Sequence, residues 1–453
     1  MSDVIAAIAT GNAPCAIGVI RLSGPGCAAV VGKVFRLRSG AAVEDAPNRK
    51  LMMGTLYDVS GREIDQALLV YTRGPHSYTS EDTVELQCHG SPAVLAAGLE
   101  SLFRAGARQA GPGEFTKRAF LNGRMDLTGA EAVIDLIEAQ TADMAANAAA
   151  QVGGALARVV DPVYDDLTDI CSHYHAVLDY PDEDIPAFQL RDFRDTLEAD
   201  RNRLYALYET RQRGQILKNG VRVVLLGRPN VGKSSLLNAL AGYDRVIVTQ
   251  IAGTTRDTVE ELIKFGRVPA RIIDTAGIRE TTDEIEALGV KRSVEAADDA
   301  DLAIFLCDGS KPLTEEDCSA METAHRAKNS IGLINKADLP VVVEAEQLSF
   351  EQVFSVSAKD GDGLDALGRY IEALFSDHLP CDGTILTNTR QAEAVRYAVE
   401  SLDRCLEALD LGITPDAVLT EAEDAMHALG ELTGRTVRED ITQRIFARFC
   451  VGK

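Results

Sequence analysis

Residues 227–234, Gly227-Arg-Pro-Asn-Val-Gly-Lys-Ser234, follow the largely apolar run Val221–Leu226. A glycine-rich loop that leaves a strand and enters a helix is a phosphate cradle. Its backbone N–H groups wrap the β-phosphate, Lys233 reaches the β/γ oxygens, and the Ser234 hydroxyl can hold Mg²⁺. Further strands are expected at 270–273, 302–307, 330–334 and 353–356, alternating with loops and helices. That alternation predicts a Ras-like, doubly wound P-loop domain with a parallel sheet over residues 216–377.

The other parts of a nucleotide site follow in order. Asp274-Thr275-Ala276-Gly277 closes one short strand; the acid can hold the metal through water, and the Gly277 N–H can face the γ-phosphate. Asn335-Lys336-Ala337-Asp338 follows the strand Ile331–Ile334. Alone it reads as a helix N-terminus, but after the other elements it reads as a base selector. The Asp338 carboxylate accepts from N1–H and the 2-amino group of guanine, donors that adenine lacks. Ser357-Ala358-Lys359 places a backbone N–H near guanine O6. Between the phosphate loop and Asp274 lies Thr249-Gln250-Ile251-Ala252-Gly253-Thr254-Thr255, a switch segment in which Thr255 is the expected Mg²⁺ ligand. Asn230, Val231, Gly232 and Ser235 complete the expected GTP-binding set. One position departs from the Ras pattern. Ile278 stands where a glutamine orients the attacking water, so catalysis is expected from another side chain, a cation or a partner.

The length of 453 residues allows two or three domains. A formal charge of −23 argues against a surface that binds nucleic acid throughout, while leaving room for a local patch. Nine scattered Cys without a C-x-x-C pair, no basic leader and no membrane-length apolar run predict a cytoplasmic protein with reduced thiols and no integral membrane association. Residues 1–120 alternate short β-like runs with Gly/Pro punctuation and one helix, as in a compact α+β domain. Residues 121–215 and 378–453 read as two parts of a helical domain that the 216–377 domain interrupts. Within the first part, Thr128–Gln151 is Ala-rich with apolar recurrence near 3.6 and reads as helical; a break at Tyr180–Pro186 precedes the charged stretch Arg191–Arg213.

Residues 74–90, GPHSYTSEDTVELQCHG, residues 111–141, GPGEFTKRAFLNGRMDLTGAEAVIDLIEAQT, and FCVGK at 449–453 closely resemble the MnmE (TrmE) family of tRNA uridine-modification GTPases, over essentially the whole chain. The resemblance implies an N-terminal domain that binds a tetrahydrofolate derivative, in its 5-formyl or methylene form, and forms a constitutive homodimer. It implies a FAD-dependent partner, MnmG (GidA), in a heterotetramer or larger complex that adds an aminomethyl or carboxymethylaminomethyl group to C5 of wobble uridine in certain tRNAs. It also implies GTP hydrolysis activated by K⁺-dependent pairing of G domains. Asn230 matches the K⁺-ligating asparagine, joined by Thr249 and the carbonyls of Ile251 and Thr254; the cation there plays the part of an arginine finger. Glu286 matches the glutamate that positions the attacking water. Arg21, Glu85, Lys453 and, in place of a common lysine, Arg124 match folate contacts. Cys450 reads equally as a functional thiol or a buried small hydrophobe. Gly11-Asn-Ala-Pro-Cys15 departs from the Gly-Arg-Gly-Gly segment of many relatives. Two other readings are a ribosome-assembly GTPase of the Era or Der type and a folate-dependent one-carbon transferase with a regulatory G domain.

Overall fold

The computed structural model describes the chain except residues 1–2, 12, 180–189, 244–259, 275–293, 376–381, 413–414, 437–441, 443–444, 448 and 453. It resolves into two units. The first comprises Met1–Ile137, Ala148–Ala206 and Glu393–Lys453; the second comprises Glu138–Asn147 and Leu207–Ala392.

The first unit opens with a seven-stranded sheet. In chain order its strands are β1 (Ile5–Ile8), β2 (Cys15–Ser23), β3 (Phe35–Leu37), β4 (Leu51–Tyr57), β5 (Glu63–Thr72), β6 (Thr83–Gly90) and β7 (Arg108–Gln109). They lie side by side as β3-β4-β5-β6-β2-β1-β7. Side chains alternate across a strand, so Ile20, Leu22, Leu56, Leu69 and Leu86 share one face and are fully buried. Helix Pro92–Ala105 covers that face: a Cβ on its Gly98 would come within 2.9 Å of both Ile20 and Leu56, so only glycine allows so close an approach. The opposite face keeps Leu51, Met53 and Leu68 exposed at 53%, 45% and 38%.

The same unit holds the long helices Ala155–Asp179 and Pro415–Thr433 and most of Leu190–Glu209 and Thr389–Asp410. Arg201–Asp403 and Arg194–Asp410 pairs join Leu190–Glu209 to Thr389–Asp410 at 2.7 and 3.0 Å. Residues 449–452 return to the N-terminal sheet. Val451 bridges Pro112, the Gly113 N–H donates to Cys450 O at 3.4 Å, and a Cβ on Gly452 would sit 2.3 Å from Ile8 O. The helical stretch expected over Thr128–Gln151 forms two helices, Leu127–Ile137 and Ala142–Val152. The Thr141 hydroxyl accepts from the Met144 N–H at 3.2 Å and so starts a new helix where periodicity alone would continue the old one. The break expected at Tyr180–Pro186 lies outside the described residues.

The second unit contains a six-stranded sheet formed by β8 (Val221–Leu226), β9 (Glu260–Phe265), β10 (Val268–Asp274), β11 (Leu302–Asp308), β12 (Ser330–Asn335) and β13 (Val353–Val356). Their order is β13-β12-β11-β8-β10-β9, parallel throughout except for the antiparallel edge strand β9. All seven residues of β11 are buried, as expected of a central strand covered on both faces. The chain order reverses on either side of β8, and the carboxyl end at such a switch point is where doubly wound sheets bind ligands.

Candidate functional site

β8 ends at Leu226 and delivers the phosphate loop to that carboxyl edge. The loop needs backbone that few residues allow. Gly227 has φ +148°, and a Cβ there would lie 2.2 Å from Leu306 O; Gly232 has φ +104°, and a Cβ there would lie 2.3 Å from Asn335 Nδ2. Asn230, at φ +63°, is exposed, as are Ser234 and Ser235 in the first turn of helix Lys233–Tyr243. Lys233 is 8% exposed, and its ammonium donates to the carbonyls of Gly227 and Arg228.

Two further loops close on the first. Asn335, 2% exposed at the end of β12, donates from Nδ2 to Val231 O at 2.8 Å and accepts from the Ala358 N–H at 3.1 Å. One side chain thereby ties the phosphate loop to the loop after β13. Lys336 bonds Asn230 O at 3.3 Å and Asp308 Oδ2 at 2.6 Å. Burial opposes the charge on Asp308, but hydrogen bonds from Lys336 and Ser310 outweigh it and hold the carboxyl at about 2. The buried Ser357 hydroxyl bonds Asp338 Oδ1 and Asp360 Oδ2, both at 3.1 Å, leaving the Asp338 carboxylate exposed and oriented. Beside these groups is a cavity of about 570 Å³ lined by Ser235, Asn238, Ala358, Lys359 and Asp360 among others.

Val231, Gly232, Lys233, Asn335, Lys336, Ser357 and Ala358 are therefore brought together, although more than a hundred positions separate the first from the last. Asp274 ends β10 beside Leu225 of β8. Thr249–Thr255, Thr275–Gly277, Ile278, Glu286 and Lys453 lie outside the described residues.

A second cluster occupies the first unit. Arg21 and Glu85 are cross-strand partners on β2 and β6, with a 2.7 Å ion pair. The Arg21 guanidinium lies over the Tyr78 ring at 5.5 Å and the Phe115 ring at 5.8 Å, and Arg124 approaches Tyr78 from 6.0 Å. Arg124 also donates to Ser77 O at 2.5 Å, and the Tyr78 hydroxyl pairs with Thr116 at 2.9 Å. Sequence reasoning assigned Arg21, Glu85 and Arg124 but missed the two rings between them. Tyr78 was legible, since it sits inside the stretch 74–90. Cys450 is exposed rather than buried.

The family model described as "MnmE helical domain" matches residues 127–450, and "GTP-binding protein TrmE N-terminus" matches residues 4–124. A tRNA modification GTPase MnmE from Heliobacterium modesticaldum is 41% identical over 466 aligned positions, covering both chains fully. Its counterpart from Chloroflexus aurantiacus is 43% identical, again with full coverage of both. Among solved structures, the G domain of the T. maritima FeoB iron transporter is 26% identical over 35% of this chain and 99% of its own, with a TM-score of 0.27.

Proposed function

Because the chain belongs to the MnmE family of tRNA modification GTPases, we propose that it drives wobble-uridine modification by a GTPase cycle that a cation activates. The observation that carries this reading is the meeting of the phosphate loop, Asn335-Lys336 and Ser357-Ala358 at one carboxyl edge of the sheet.

In GTP hydrolysis the loop amides from Asn230 to Ser234 cradle the β-phosphate, and Lys233 exchanges its loop carbonyls for phosphate oxygens. Asp338, aimed by Ser357, accepts from the guanine edge. The exposed Ser234 hydroxyl suits a Mg²⁺ ligand and the exposed, positive-φ Asn230 suits a K⁺ ligand; when bound, these cations would offset charge on the transferring phosphoryl group. Thr255 joins Ser234 at Mg²⁺ in this reading, and Thr249 with the Ile251 and Thr254 carbonyls joins Asn230. Glu286 supplies the water-positioning role that Ile278 cannot. Among the described residues no helix is long and apolar enough to cross a membrane; in this proposal the protein acts on tRNA in the cytoplasm.

The first unit supports the remaining parts of the proposal. The Arg21–Glu85 pair, with the partly exposed Tyr78 ring beside it, suits a flat heterocycle with an anionic tail, such as a tetrahydrofolate. The uncovered face bearing Leu51, Met53 and Leu68 suits a second copy of the chain. In this proposal the folate-bearing homodimer works with a FAD-dependent MnmG partner.

The test compares GTP turnover in K⁺ and in Na⁺ at equal ionic strength, alongside wobble-uridine nucleoside analysis of a deletion strain. Faster turnover in K⁺ and loss of the modified nucleoside are expected. Equal rates would refute the cation-activated cycle, and an unchanged nucleoside profile would refute the substrate.

A further inference from the structure

Asn335 and Lys336 hold consecutive carbonyls of the phosphate loop. The first bonds Val231 O at 2.8 Å and the second bonds Asn230 O at 3.3 Å. What aims Lys336 is Asp308, the last residue of β11, whose Oδ2 lies 2.6 Å from the ammonium. Its other oxygen, Oδ1, accepts from the Ser310 N–H at 3.1 Å and the Ser310 hydroxyl at 2.7 Å. Both carboxylate oxygens are thus fixed, on a side chain only 3% exposed.

The need for such an anchor is visible in the backbone. Asn230 and Lys336 have φ of +63° and +65°, a region that costs a non-glycine residue energy and persists only where contacts hold it. The Lys336–Asn230 bond joins these two positions. An ammonium restrained by a buried carboxylate is a stronger clamp on a carbonyl than a free lysine, because its direction is set beforehand. A neutral acceptor at position 308 would leave the ammonium free to turn to water.

We propose that Asp308 is a positioning residue for the GTPase reaction. Its carboxylate directs the Lys336 ammonium onto the Asn230 carbonyl and so fixes the second half of the phosphate loop ahead of nucleotide binding. Asp308 acts through Lys336 and has no separate role in the reaction.

The experiment uses the full chain and two substitutions, Asp308→Asn, which keeps size but removes charge, and Lys336→Met. GDP affinity and GTP turnover are measured for each variant and for the double variant. Asp308→Asn weakens GDP binding about tenfold, the size expected for losing one hydrogen bond to a charged group. Lys336→Met costs at least as much, and the double variant costs no more than Lys336→Met alone. A side chain with a merely structural role would instead give losses that multiply, and that result overturns the proposal. So does an Asp308→Asn protein that binds and turns over like the wild type. If Asp308→Asn fails to fold, Ser310→Ala takes its place in the same cycle. It loosens the carboxylate without removing its charge, with an expected affinity loss of about two- to threefold that Lys336→Met abolishes. A loss that persists in the Lys336→Met background overturns the proposal as well.

Discussion

Replacing Asn335 with Ala removes two buried hydrogen bonds at once, those to Val231 O at 2.8 Å and from the Ala358 N–H at 3.1 Å. Each is worth about 1 kcal/mol net, and each strands a backbone group whose unmet desolvation costs about 1–3 kcal/mol when water cannot reach it. Ala358 is only 8% exposed, so its amide pays part of that penalty. A loss of about 2–4 kcal/mol is therefore expected, concentrated where the two loops meet. Hydrogen exchange at the Ala358 amide reads it directly. In Asn335→Ala that amide should exchange faster by about tenfold or more, since each 1.4 kcal/mol of lost protection is about tenfold. Asn335→Asp separates the two bonds. It still accepts from Ala358, so that amide stays protected, but it sets a carboxylate against the Val231 carbonyl and weakens nucleotide binding. An Asn335→Ala protein with undiminished Ala358 protection would refute the assignment of this side chain as the tie between the loops.

Other consequences can be measured in each unit separately. Gly214, buried in helix Arg211–Asn219, would place a Cβ 1.8 Å from Leu386 O. Gly214→Ala should cost about 1–3 kcal/mol through forced backbone movement, and an unchanged melting temperature would contradict that packing. Burial opposes the charge on Glu114, but Arg108, the Gly111 N–H and Arg118 outweigh it and lower its carboxyl from 4.5 to about 2. A lowered folded-state value means that this contribution is complete above about 4.5 and is lost as pH falls towards 2. Because Arg108 is 47% exposed, solvent screening limits the effect to about 2 kcal/mol. Glu114→Gln should flatten the acid limb of the stability profile of the first unit; an unaltered limb would show that other carboxylates set it.

The parallel strands of the second unit were legible because β8, β11 and β12 are short apolar runs bounded by turn residues, and a strand covered on both faces needs no alternation. β9 was not. Its sequence, EELIKF, carries three charged residues, which an antiparallel edge strand tolerates but which hide it from a hydrophobicity reading. The nucleotide motifs announced themselves by composition and order. The bonds that assemble them did not, because nothing local to Asn335 says that its amide will meet Val231. The split of Thr128–Gln151 was missed for a different reason, a single Thr141 cap overriding a periodic pattern. Around Arg21 the charges stood out while Phe115 looked like any core aromatic, and it is indeed fully buried.

The three-part construction of the first unit bears on how the chain is made. A ribosome releases residues in order, and Leu207–Ala392 can collapse around its own sheet as soon as it emerges. The sheet of the first unit and its core lie within residues 4–109, but the helical part has to wait, since Glu393–Lys453 supplies most of two of its long helices and the stretch that docks against Pro112 and Ile8. For the time needed to synthesise the intervening domain, the helices of 155–179 and 190–209 lack the partners that Glu393–Lys453 supplies and show the apolar stripes those partners cover. Chaperone occupancy should therefore peak on nascent chains arrested between the two units and fall once the final helices have emerged.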